Sequence, residues 1–127
     1  MQKTILIVDD EPGARLMLQY ALSKEGHKVI TARDGAEALE AFQKERVDLI
    51  LTDMRMPKMD GMELVAAVKR INPSARIVLM TAFASEEKVE QTLALKASVC
   101  LNKPVDMPVL FQTINLLLGN SPYPQST

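Results

Sequence analysis

A single cysteine, Cys100, leaves this chain without the means to form an internal disulfide and fits a reducing compartment. No apolar run approaches the length of a membrane span. The opening Met1-Gln2-Lys3-Thr4 passes straight into a strand-like run, without the apolar region and small-residue cleavage site of a signal peptide. A cytoplasmic protein with no membrane partner is the expectation. Charge of neither sign dominates, since the formal net charge is -1. Bulk electrostatics therefore offers no footprint for nucleic acid, and any DNA-binding function must lie outside this chain. Neither G-x-G-x-x-G nor G-x-x-x-x-G-K-[ST] occurs, which argues against a nucleotide-binding loop. Internal repeats and low-complexity stretches are missing from the core as well.

What is present suits one globular domain. The 127 residues, 47% of them apolar and 24% charged, can bury one real core and are too few for two ordinary domains. Residues 1–119 read as that domain. Residues 120–127, polar and rich in proline, read as a flexible tail or truncated linker. Four β-rich runs stand out, at 4–8, 28–32, 48–52 and 76–80, and a weaker fifth covers 98–102 just before Lys103-Pro104. The first, third and fourth are nearly continuous in apolar residues, as strands covered on both faces must be.

Between the runs the period becomes helical. Ala14, Met17, Leu18, Ala21 and Leu22 make one sheet-facing stripe after Pro12, which suits a first helical turn. Asp34 with Glu37 resembles a capping box before Ala38, Leu39 and Phe42. Leu64, Val65, Val68 and Ile71 mark a third helix that Pro73 stops. Ser85 with Glu86 and Glu87 signals the start of a fourth. Asp106 opens the last, which carries Leu110, Phe111, Ile114, Leu117 and Leu118 and closes at Gly119. Five βα units with short connections imply right-handed crossovers and a doubly wound α/β sheet. Functional groups in such sheets gather at the carboxyl ends of the strands, where strand order reverses.

Those ends carry Asp9, Asp10 and Glu11 after the first strand, Asp53 after the third, Thr81 after the fourth and Lys103 after the fifth. Clustered carboxylates repel one another unless a cation neutralises them, and an all-oxygen donor set suits Mg2+. Lys103 can neutralise phosphoryl oxygens, and the Thr81 hydroxyl can donate to one. A carboxylate nucleophile, an ion, an ammonium and a hydroxyl make an aspartyl-phosphate site. An aspartate-nucleophile phosphohydrolase uses the same groups, but usually has a second acid two residues after the nucleophile. That position here is Arg55.

The segments Ile7-Val8-Asp9-Asp10-Glu11, Leu51-Thr52-Asp53-Met54-Arg55-Met56-Pro57-Lys58-Met59-Asp60-Gly61, Met80-Thr81-Ala82 and Lys103-Pro104 together closely resemble the receiver domains of two-component response regulators. The wording is most similar to receivers of the nitrogen-regulatory type, and the resemblance spans residues 3–118. It implies a flavodoxin-like, five-stranded parallel sheet of order 2-1-3-4-5. It also implies that Asp53 is the phosphoacceptor, Asp10 a direct Mg2+ ligand, Asp9 a ligand mainly through water, and Arg55 a ligand through its main-chain carbonyl. Thr81 and Lys103 become the conformational switch and the phosphate-neutralising cation. The implied partners are a sensor histidine kinase or phosphotransfer protein and a downstream effector, with self-directed phosphotransfer and autodephosphorylation as the only chemistry.

Other features carry simpler expectations. Asp60-Gly61 reads as a turn in which Gly61 supplies a positive φ. Met54, Met56, Met59 and Met62 read as loop packing rather than metal ligands. His27 reads as solvent-facing. Arg55 and Phe83 are expected to flank the water path to a phosphorylated Asp53. Receivers commonly have Tyr or Phe three residues before the last-strand Lys; here that residue is Cys100, and Lys96 stands where Gly is frequent. The relay is therefore expected in the loop after Thr81 and the helix that Ser85 begins.

Overall fold

Each apolar run becomes a strand because both of its faces are covered. The computed structural model describes residues 2–56, 59–82 and 99–119. In it β1 (Thr4–Val8), β2 (Lys28–Ala32), β3 (Leu49–Asp53), β4 (Ile77–Thr81) and β5 (Val99–Asn102) form one parallel sheet in the order β2-β1-β3-β4-β5. The described helices are α1 (Pro12–Lys24), α2 (Gly35–Lys44), α3 (Gly61–Ile71) and α4 (Met107–Leu117). This is the doubly wound, flavodoxin-like order expected from the chain. The helix expected at Ser85, together with Phe83 and Lys96, lies outside the described residues, as do Pro57, Lys58 and residues 120–127.

Alternation along the strands builds two cores. Leu6 and Val8 of β1 join Ile50 and Leu79 on one face, where Ala38 of α2 and Leu64, Val65 and Val68 of α3 cover them. Ile5 and Ile7 join Leu49, Leu51, Val78 and Met80 on the other, under Leu18 and Leu22 of α1 and Leu110 and Ile114 of α4. Successive side chains point to opposite faces, so a strand buried on both sides must be apolar throughout. Among the described residues no helix is long and apolar enough to cross a membrane.

Local chemistry sets the helix boundaries. The Asp34 carboxylate accepts from the Glu37 amide at 2.8 Å, and Asp60 does the same for the Glu63 amide at 2.8 Å. The box at Asp34 is half closed, because Glu37 turns back to the amide and guanidinium of Arg33 instead of the Asp34 amide. At the end of α1 the Gly26 amide donates to Ser23 O and the His27 amide to Leu22 O, with Gly26 at φ +92°. This paired pattern is a Schellman motif.

Asp53 and Thr81 are the last residues of their strands rather than the first beyond them. Met17 is 59% exposed and Ile71 48%, so the buried stripes are narrower than their spacing suggested. Met17 lies about 100° round the helix from Leu18, beyond the line the sheet covers, and Ile71 is the final residue of α3. His27 is half-buried, not solvent-facing, because the Schellman motif folds it back onto the helix end. Gly61 is not among the positive-φ glycines, which are Gly26 and Gly119. Its role is close approach: a Cβ there would meet Asp53 O at 2.7 Å, Leu79 Cδ2 at 2.8 Å and Met54 Cα at 2.9 Å.

Candidate functional site

Strand order reverses between β1 and β3, since the chain leaves β1 for β2 on one side and then crosses to β3 on the other. The crevice at their carboxyl ends is where such sheets bind ligands. Asp9 follows β1 directly and continues its ladder by one bond, donating its amide to Ala32 O at 3.1 Å. Asp53 ends β3 opposite Met80 in register. Thr81, one residue further along β4, is buried, and the Lys103 amide donates to its carbonyl at 2.8 Å.

These placements bring the acids together. Ligand oxygens of Asp9, Asp10 and Asp53 all lie within 4.8 Å of one another. Lys103 Nζ donates to Asp53 Oδ2 at 2.6 Å and stands 3.8 Å from Asp9 Oδ2. Its stem thereby spans β4, two inter-strand steps of about 4.8 Å each. The Lys103-Pro104 peptide is cis. The Arg55 amide donates to Asp53 Oδ1 at 3.3 Å while its side chain is exposed. Glu11 does not join the acidic cluster. It is the N-cap residue of α1, and its amide donates to Asp9 Oδ1 at 2.9 Å.

Burial differs sharply within the cluster: Asp9 is 1% exposed, Asp53 half-buried and Asp10 exposed. Burial pushes the Asp9 carboxyl above its ordinary range, aided by the charges of Asp53 and Asp10 and opposed by the Glu11 amide and Lys103. Burial pulls Lys103 the other way, but its hydrogen bond to Asp53 and the charges of Asp53, Asp9 and Glu11 outweigh that, and its ammonium is held more firmly than usual. Asp9 Oδ2 is buried without a hydrogen-bond partner. An acceptor in that condition costs free energy unless something satisfies it. Oxygen donors within a few ångströms of one another, one of them an orphan, fit a hard divalent cation such as Mg2+.

Reasoning from the sequence missed Arg15. Its Nη1 donates to the main-chain carbonyl of Asp9 at 2.7 Å. The signal was legible in part, because a long side chain in the first turn of a helix leans toward that helix's N-terminus. Cys100, the departure from an aromatic at that position, is half-buried against the core that α2 and α3 cover. Met54, Met56, Met59 and Met62 pack with the same core, the first three from the segment between β3 and α3 and Met62 from the first turn of α3 itself.

The family model described as Response regulator receiver domain matches residues 5–115. The transcriptional regulatory protein GlrR of Escherichia coli is 38% identical over 117 residues, covering 92% of this chain and 26% of the relative. The chain thus spans about a quarter of the length of that regulator. Sporulation initiation phosphotransferase F of Bacillus subtilis is 38% identical over 107 residues, covering 84% of this chain and 86% of the relative. Among solved structures, chemotaxis protein CheY4 of Vibrio cholerae superposes with a TM-score of 0.88 at 35% identity, covering 92% of this chain and 99% of that one. Response regulator protein TrrA of Thermotoga maritima, in complex with Mg2+-BeF, gives 0.83 at 32% identity, covering 91% and 99%.

Proposed function

The chain belongs to the response regulator receiver family, and from that membership we propose that Asp53 is its phosphoacceptor, charged by a histidine kinase or phosphotransfer protein. The observation that carries the proposal is the convergence of Asp9, Asp10 and Asp53 within 4.8 Å around an ammonium 2.6 Å from Asp53. Asp10, Asp53 and the Arg55 carbonyl would hold Mg2+ directly and Asp9 through water, and the ion would neutralise the phosphoryl oxygens during transfer.

The chain's own groups supply the rest. An Asp53 carboxylate oxygen forms the new O–P bond as the donor's P–N bond breaks, and the electron pair of that bond leaves with the imidazole. Lys103, which already faces Asp53 and Asp9, balances the charge that arrives with the phosphoryl group. Thr81 lies at the end of the adjacent strand, where its hydroxyl can follow a phosphoryl oxygen. That contact exists only in the phosphorylated state, so it biases a two-state equilibrium toward the form that an effector reads. Residues 1–119 act as the switch unit, working in the cytoplasm, with no chemistry beyond self-directed phosphotransfer and autodephosphorylation. Transcriptional output fits the likeness to GlrR and would reside in an effector beyond this switch.

The test is amide NMR with Mg2+ and beryllofluoride, a phosphoryl mimic. The amides of Asp53, Thr81, Ala82 and Lys103 should shift in wild type and stay still in Asp53→Ala. Equal shifts in both proteins would place the ligand elsewhere and reject the proposal.

A further inference from the structure

The loop that carries Asp9 and Asp10 is fastened from three sides, and one of the fasteners is a side chain with no part in the chemistry above. Ala32 O receives the Asp9 amide at 3.1 Å, Asp9 Oδ1 receives the Glu11 amide at 2.9 Å, and Asp9 O receives Arg15 Nη1 at 2.7 Å. The last bond matters most for Asp10, because the Asp9 carbonyl belongs to the peptide plane whose nitrogen is that of Asp10. Fixing the carbonyl fixes the plane, and with it the direction in which the Asp10 Cα and carboxylate leave the backbone.

The start of α1 offers no other side chain for this task. Its N-cap residue, Glu11, makes no side-chain capping bond, and Pro12 in the first turn has no amide to give. Arg15 instead closes the turn twice, through its own amide to Glu11 O at 3.0 Å and through its guanidinium to Asp9 O. A guanidinium bonded to a carbonyl is a charge-assisted contact, stronger than a neutral one.

We propose that Arg15 is a positioning residue for the divalent-cation site: by clamping the Asp9 carbonyl it aims Asp10, without touching the ion or the phosphoryl group. The inference rests on the reading of Asp9, Asp10 and Asp53 as a Mg2+ site. It makes a prediction opposite in sign to simple electrostatics. Removing a positive charge beside an acidic cluster should tighten cation binding, whereas removing a clamp should loosen it.

Calorimetric Mg2+ titration of wild type, Arg15→Met, Arg15→Gln and Arg15→Lys separates the two, with a thermal melt in EDTA to establish that each variant folds. Losing a partner that orients a ligand typically weakens metal binding about ten- to a hundredfold, which is the effect expected of Arg15→Met. Arg15→Lys, which keeps a charged donor, should recover most of it, and Arg15→Gln, a neutral donor, should fall between. Arg15→Gln decides the question if Arg15→Met fails to fold. Unchanged or tighter Mg2+ binding in a folded neutral variant overturns the proposal. If wild type binds no Mg2+, the reading of the site fails instead, and hydrogen exchange in EDTA then decides the clamp. Faster exchange of the Glu11 amide in the neutral variants supports it, and unchanged exchange overturns it.

Discussion

Gly61 and Gly13 lack the same side chain in opposite surroundings, and the difference reaches the phosphoacceptor. Around Gly61 a methyl group would meet the Asp53 carbonyl and the Met54 backbone at under 3 Å, while at Gly13 nothing lies within 4 Å. The Gly61 amide also donates to Met54 O at 2.8 Å, so the chain folds back tightly against the end of β3 before α3 begins. Gly61→Ala is therefore expected to cost about 1–3 kcal/mol, as overpacking against backbone does, and to slow phosphorylation by displacing Asp53. Gly13→Ala, in the first turn of α1, should be neutral or stabilise by about 0.5 kcal/mol through a smaller loss of backbone entropy. Urea denaturation of the two variants checks both signs. Equal midpoints would mean that the β3–α3 return can open at little cost.

Helix ends are the elements where chemistry outside the site becomes visible. The Schellman motif that ends α1 carries His27 back against the helix, and burial lowers its pKa below the ordinary 6.5, with Glu25 opposing in part. A lowered folded-state value means that the unfolded chain binds more protons between the two pKa values, so stability rises with pH across that window. Above the unfolded value His27 is neutral in both states and contributes no pH dependence. Wild type should therefore lose more stability than His27→Gln between about pH 8 and about pH 5.5, where histidine titrates. Parallel losses in urea midpoint would show that His27 is protonated as easily in the fold as outside it. Asp34 caps its helix as its sequence context implied, whereas Asp60, read from the sequence as part of a turn, is also an N-cap; each accepts from the amide three residues on. Glu37 turned to Arg33 because a charged partner one residue earlier competes with a neutral amide.

Across the whole molecule, most of the architecture could be read from the sequence, because fully buried parallel strands leave continuous apolar runs that few other structures need. Asp53, Thr81 and Lys103 followed from one rule, that strand ends converge, and they stand on or beside the ends of β3, β4 and β5. The rule works to within one residue, which is why Asp53 and Thr81 turn out to be inside their strands. Exposure of Met17 and Ile71 was not legible, since periodicity reports a stripe and not how far the sheet extends beneath it. Arg15 was legible only in its direction, because its contact is to a main-chain carbonyl, and sequence patterns advertise side-chain partners far better than backbone ones. The part of Gly61 was misread for a related reason: a glycine at the start of a helix signals positive φ and close approach alike. At this scale the central expectation is that Asp53, in the acidic crevice at the ends of β1 and β3, accepts a phosphoryl group with the help of Mg2+. Intact-mass measurement after incubation with acetyl phosphate tests it most directly. Wild type with Mg2+ should gain the mass of one phosphoryl group, and wild type in EDTA or Asp53→Ala with Mg2+ should gain none. A gain that persists in Asp53→Ala would put the phosphoryl group on another residue, and a gain indifferent to Mg2+ would show that the acidic cluster does not work through the ion.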